Sequence, residues 1–214
     1  MKRSLFKIVL LSLFTINLSA SEVTIESMNK NIDQTTNIPL KQVLMCEREV
    51  FTVTSNDNSN PKVCIKAVEY FKNINETNKE MESEVQLYIY LNYMRNNPDF
   101  MFDKTKYKLY LEEYKTKYIS QSYLNAGILY QFSKKNQSDK KAFEMYKKSY
   151  DNGECNFYEC TSALNLGVLY YSGSGVNKNL ALAHKYTKES AEKGNLDASK
   201  NLKYMCSENP ELCK

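Results

Sequence analysis

The chain has 214 residues, of which 42% are apolar and 25% charged, and its formal net charge is +4. That apolar share excludes a disordered chain, and the length suits one domain or a short array of repeats. Lys2, Arg3 and Lys7 precede an apolar run that closes on Leu18-Ser19-Ala20, the layout of a secretory signal peptide over residues 1–20. Without it the charge falls from +4 to +1, since those twenty residues hold no acidic group, and nothing basic remains to recruit nucleic acid. No cysteine stands at the junction to carry a lipid, and no later segment has the ~18 unbroken apolar residues of a membrane span. The mature chain is therefore expected to lack a transmembrane segment and to be periplasmic or secreted.

Residues 21–60 read as a poorly defined N-terminal arm. Positions 21–40 are polar and expected to be an extended or mobile arm; PLKQVLMCERE (39–49) suits a helix, whereas VFTVT (50–54) has strand character before the polar loop SNDNSNP. Residues 61–120 read as divergent helical hairpins, with helices predicted over 62–74, 81–94 and 105–118 and a breaker cluster at Asn96-Asn97-Pro98-Asp99. Tyr107, Tyr110, Leu111, Tyr114 and Tyr118 recur at spacings of three and four, which marks a core-facing stripe rather than a ligand ladder.

Internal repetition governs residues 121–206. Ser122-Tyr-Leu-Asn125-Ala-Gly127-Ile-Leu129-Tyr130 recurs as Ser162-Ala-Leu-Asn165-Leu-Gly167-Val-Leu169-Tyr170, and a decayed copy follows from Ala198 to Cys206. Between them, Ala142 to Gly153 matches Ala183 to Gly194. Both units read as amphipathic helices, with Ala126, Gly127 and Gly167 allowing close approach and Leu129, Tyr130, Leu169 and Tyr170 supplying apolar area. Gly173-Ser174-Gly175-Val176 then reads as the turn between two antiparallel helices, its glycines free to take positive φ and its valine returning to the core. A phosphate loop would need a preceding strand and a following Lys-Ser/Thr, and neither is present.

These features resemble the Sel1-like repeat, a relative of the tetratricopeptide repeat: an A-x-x-N-L-G-x-L-Y helix, a G-x-G-V turn, and a K-A-x-x-W/Y-x-x-x-A-A-x-x-G helix. Residues 165–194 follow this pattern closely. The copy at 122–153 has no G-x-G-V, and the third has Lys203 in place of the glycine. The resemblance implies an all-α, right-handed α/α solenoid of such hairpins, ending in a tail over 207–214. Stacked hairpins of this kind present a concave surface lined by the first helix of each repeat. By i, i+4, i+7 spacing, Leu124, Ile128 and Gln131 are expected to line up with Leu164, Val168 and Tyr171 as a protein-binding face continuing to Lys200.

Cys46, Cys64, Cys155, Cys160, Cys206 and Cys213 all lie in the mature part, and an even count in an exported chain reads as disulfides stapling the fold. Sequence order groups them as three local pairs, with the connectivity open. Only Cys155 and Cys160 approach zinc-ligand spacing, so no metal is expected. The arrangement is partly similar to the Helicobacter cysteine-rich branch of the family, whose pairs recur regularly in each repeat as these do not.

That branch is associated with β-lactam binding or hydrolysis, so an alternative reading is a β-lactam or peptidoglycan-fragment binder or hydrolase. One S-x-x-K occurs, Ser190-Ala-Glu-Lys193, but Ser190 falls at a small-residue packing position and neither S-D-N nor K-T-G completes a site. His184 is the single histidine and reads as a helix-surface residue, so no catalytic residues, no cofactor and no small-molecule ligand are expected. The resemblance implies a non-enzymatic adaptor whose partner is another periplasmic or envelope protein. Relatives act as scaffolds in flagellar-motor and secretion assemblies, or as immunity proteins against a toxic effector.

Overall fold

The computed structural model describes residues 25–34, 38–53, 59–74, 81, 85 and 104–213. Among these residues it is all-helical: α1 Ile25–Gln34, α2 Ile38–Thr52, α3 Pro61–Asn73, α4 Tyr107–Phe132, α5 Asp139–Asp151, α6 Thr161–Ser172, α7 Leu180–Glu192 and α8 Leu196–Glu208, with short 3-10 turns at 104–106, 154–156 and 210–213. Each helix packs on the next in chain order, and α2 also reaches α4. The result is an α/α solenoid, in which each element owes its burial chiefly to its neighbours. The proposed leader, the Asn96–Asp99 breaker and most of the helix expected over 81–94 lie outside the described residues. Of that last stretch only Met81 and Val85 are described, both helical and buried.

The N-terminal section departs from expectation. Positions 25–34 form α1 instead of an extended arm, and α2 runs straight through Val50-Phe51-Thr52, where strand character was expected. Val43, Cys46, Val50 and Val53 are all buried, and their spacing of three and four places them on one helical face. Burial of that face outweighs the weak strand preference of β-branched residues. The Asn60 side chain caps α3 by accepting from the Lys62 N–H, Pro61 opens the first turn, and Cys64, Ala67, Val68 and Phe71 make the buried stripe. A Cys46–Cys64 disulfide joins α2 to α3.

The helix expected over 105–118 and the first helix of the repeat region are one continuous 26-residue α4. No glycine or proline interrupts residues 107–126, so nothing stops propagation, and a boundary at residue 120 falls inside the helix. Its N-terminal half carries the tyrosine stripe, with Tyr114 and Tyr118 packing on Phe71 at ring-centroid distances of 6.0 and 5.3 Å.

The two hairpins α4–α5 and α6–α7 close in the same way. The Ser138 N–H donates to the Tyr130 carbonyl at 2.7 Å, and the Asn179 N–H to the Tyr170 carbonyl at 2.9 Å; Ser138 and Asn179 also cap α5 and α7 with their side chains. Gly127 lies against the Tyr146 ring and Gly167 against Thr187 so closely that a Cβ would collide with either. The turn after α6 has Gly173 and Gly175 at φ +74° and +72°, with Val176 packed against the core. Gly175 presses on the backbone of Asp139 and Lys140 at the start of α5, leaving no room for a side chain.

The other two disulfides are local: Cys155–Cys160 in the spacer between the hairpins, and Cys206–Cys213 from α8 to its trailing 3-10 turn. Among the described residues no helix is long and apolar enough to cross a membrane.

Candidate functional site

The residues expected to form one binding face separate into two groups. Leu124, Ile128 and Leu164 are only 1–2% exposed and serve as packing residues. Gln131 is 8% exposed, its amide oxygen accepting from the Tyr146 hydroxyl at 2.6 Å. These four are withdrawn from any contact surface, because their helix faces are covered by neighbouring side chains. Val168 and Tyr171 are partly accessible and Lys200 is exposed. Tyr171 meets Tyr204 of α8 edge to face at 6.2 Å, the Lys178 ammonium lies 5.6 Å from the Tyr171 ring centroid, and Tyr204 is 43% exposed. Val168, Tyr171 and Lys200 are thus the accessible remnant of the expected face, and Tyr204 adjoins it through Tyr171.

A second surface was not anticipated. Over α4, between α3 and α5, lies a groove of about 380 Å³, floored by Val68, Tyr123 and Met145 and edged by Tyr130, Lys72, Lys141 and Lys148. Lys72 donates to the Tyr123 hydroxyl at 3.0 Å. Its ammonium and that of Lys148 lie 5.4 and 5.7 Å from the Tyr123 centroid, and Lys141 lies 5.4 Å from that of Tyr130. Such contacts are worth about 0.5–1 kcal/mol each at exposed sites. The corresponding bed over α6, between α5 and α7, is filled. Tyr170 stacks on Tyr186 at 5.8 Å, Phe143 meets Tyr170 edge-on at 5.3 Å, and Tyr150 meets Tyr186 at 5.2 Å. The Tyr150 hydroxyl donates to the Glu189 carboxylate at 2.8 Å; burial and then this bond push its phenol up to about 12.

The spacer between the hairpins is built around Glu154. Its side chain is fully buried, and the Thr161 N–H, the Ser162 N–H and the Ser162 hydroxyl donate to its carboxylate at 3.1, 3.1 and 2.6 Å. Cys160, at the N-cap position of α6, offers no side-chain cap, so Glu154 supplies the anion that a helix N-terminus favours. Burial raises its carboxyl above the ordinary value, while the three hydrogen bonds pull it down. Ser190 is fully buried and donates to the Glu159 carbonyl at 3.1 Å. Ser149, its counterpart one repeat earlier, donates likewise to Ser120 at 2.8 Å. The S-x-x-K serine is a packing residue with its hydroxyl engaged, and Lys193 stands exposed at the end of α7.

Residues 120–154 and 161–195 each match the family model of the Sel1 repeat. The chain carries two Sel1 repeats. The first comprises the C-terminal half of α4 with α5, the second α6 with α7, and Cys155 to Cys160 make up the spacer between the matches. Sel1 repeats as a class mediate protein–protein interaction. No curated protein matches the chain. The groove could have been found in the sequence by comparing the two Sel1 repeats position by position. Lys141, Met145 and Lys148 of the first stand where the second has Leu182, Tyr186 and Glu189.

Proposed function

We propose that the protein is a non-enzymatic interaction adaptor working in the periplasm of a Gram-negative envelope, as a scaffold in a flagellar-motor or secretion assembly or as an immunity protein against an effector. The observation that carries this reading is the accessible strip of Val168, Tyr171, Lys200 and Tyr204, which runs from the second Sel1 repeat onto α8. Tyrosine is among the residues that interface hot spots favour. Export is supported by the leader-like residues 1–20 and by three disulfides, which persist in oxidising compartments.

The test is affinity capture of the tagged mature protein from its own crosslinked envelope, beside a Tyr171→Glu, Lys200→Glu variant shown by circular dichroism to be folded. One protein recovered stoichiometrically and lost in the variant is the expected result. Recovery of cell-wall fragments alone would overturn the adaptor reading in favour of a peptidoglycan or β-lactam ligand. Chromogenic β-lactam turnover abolished in Ser190→Ala would do the same.

A further inference from the structure

The two Sel1 repeats place their helices alike, yet the bed over the first helix is open in one and closed in the other. In the second repeat the chain supplies its own filling: the Tyr186 ring lies parallel to Tyr170, and the Glu189 carboxylate takes the Tyr150 hydroxyl. In the first repeat the corresponding positions are Met145, which leaves the face of Tyr130 uncovered by a ring, and Lys148, which reverses the charge. Lys72 and Lys148 bring two ammonium groups over one tyrosine ring, and Lys141 brings a third to the next. Among the described residues none of these three lysines is ion-paired, although Glu69 and Glu144 stand at the same groove.

We propose that this groove is a second docking site, for a segment of a partner protein that carries an aromatic side chain flanked by carboxylates. The aromatic ring takes the place against Tyr130 and Met145 that Tyr186 takes in the second repeat. A carboxylate sits between Lys72 and Lys148, where two unpaired cations converge. The volume of about 380 Å³ falls in the range of ordinary ligand clefts, about 300–1,000 Å³. The groove is distinct from the Tyr171 strip: on a helix of 3.6 residues per turn, Tyr123 and Tyr130 lie roughly 120° around α4 from Ile128 and Gln131, the counterparts of Val168 and Tyr171 in that strip. The proposal rests on the adaptor reading for there being a protein partner at all, but its own test does not.

The probe is a fluorescein-labelled decapeptide of alternating phenylalanine and glutamate, titrated by anisotropy into the oxidised mature protein. Controls replace phenylalanine by serine or glutamate by lysine. Saturable binding below about 1 mM is expected for the first peptide only, with both controls at least about tenfold weaker. The signal of a ¹³C-methyl label on Met145 should shift in the same titration. Lys141→Glu with Lys148→Glu should weaken binding about tenfold or more, and Met145→Tyr, which copies the second repeat's filling, should block it with circular dichroism unchanged. No saturable binding, equal binding of the lysine peptide, or binding indifferent to Met145→Tyr would overturn the groove. The Tyr171→Glu, Lys200→Glu variant should bind the peptide as the wild type does, so a failed envelope capture and a failed groove are told apart.

Discussion

The two Sel1 repeats share a backbone and differ in what covers it. Both hairpins are closed by an N–H of the second helix's cap bonding to a tyrosine carbonyl, at Tyr130 and Tyr170, and both pass a glycine of the first helix under a side chain of the second. Above that common frame, the second repeat seals its own groove with stacked rings, whereas the first leaves tyrosine faces beside ammonium groups that no carboxylate pairs among the described residues. In a helical array each unit packs mainly on its neighbours, so the positions that do not set helix spacing are free to serve closure or recognition.

The hardest way to break this frame is at the turn that only the second repeat possesses. Gly175→Ala should cost about 2–4 kcal/mol, because it adds a positive-φ penalty to a collision with the Asp139 backbone; thermal unfolding followed by circular dichroism reads it. A loss below about 0.5 kcal/mol would mean that the turn does not bear on α5 at all. Tyr186→Met, which opens the second bed in the image of the first, should cost about 2 kcal/mol in urea unfolding as rings lose their neighbour.

Glu154→Ala removes the carboxylate that holds the second repeat's first helix, at a cost of about 1–2 kcal/mol. Its pH dependence has a definite sign. A carboxyl whose folded pKa is raised keeps its proton longer when folded, so its share of stability is greatest below the ordinary carboxyl value of 4.5 and declines as pH rises from there to the raised value. Denaturant midpoints across that window should fall more steeply in wild type than in Glu154→Gln.

The smallest effects separate two equivalent buried positions. Thr187 hides a hydroxyl with no partner among the described residues, while its counterpart Tyr146 donates to Gln131. Thr187→Val should therefore gain up to about 1 kcal/mol and Tyr146→Phe lose about as much. Equal signs in differential scanning calorimetry would dissolve the distinction.

Much of this was legible in the residues. The repeat spacing, the glycine turn, the packing serine at position 190 and the local grouping of cysteines all follow from short-range pattern. The Asn, Ser and Pro punctuation at Asn60, Pro61, Ser138 and Asn179 sets where helices begin. Of the residues expected on one face, Val168, Tyr171 and Lys200 are accessible, but Leu124, Ile128, Gln131 and Leu164 are not. Helical spacing says which residues share a side and is silent on what lies over it. The strand character of 50–54 misled for a related reason, since propensity is local and weak whereas burial of Val43, Cys46 and Val50 on one face is collective.

What the sequence determined by itself was the hairpin and its period, because hydrogen bonding within a helix, caps and positive-φ glycines act over a few residues. Only the tertiary structure decided that Leu124, Ile128, Gln131 and Leu164 are covered by neighbouring side chains. It alone left the groove beside Tyr123, where Val68 and Lys72 of α3 meet α4 and α5, open while closing the one beside Tyr170. Those outcomes depend on which side chains meet across helices far apart in the chain, and packing settles them at distances that no local pattern spans.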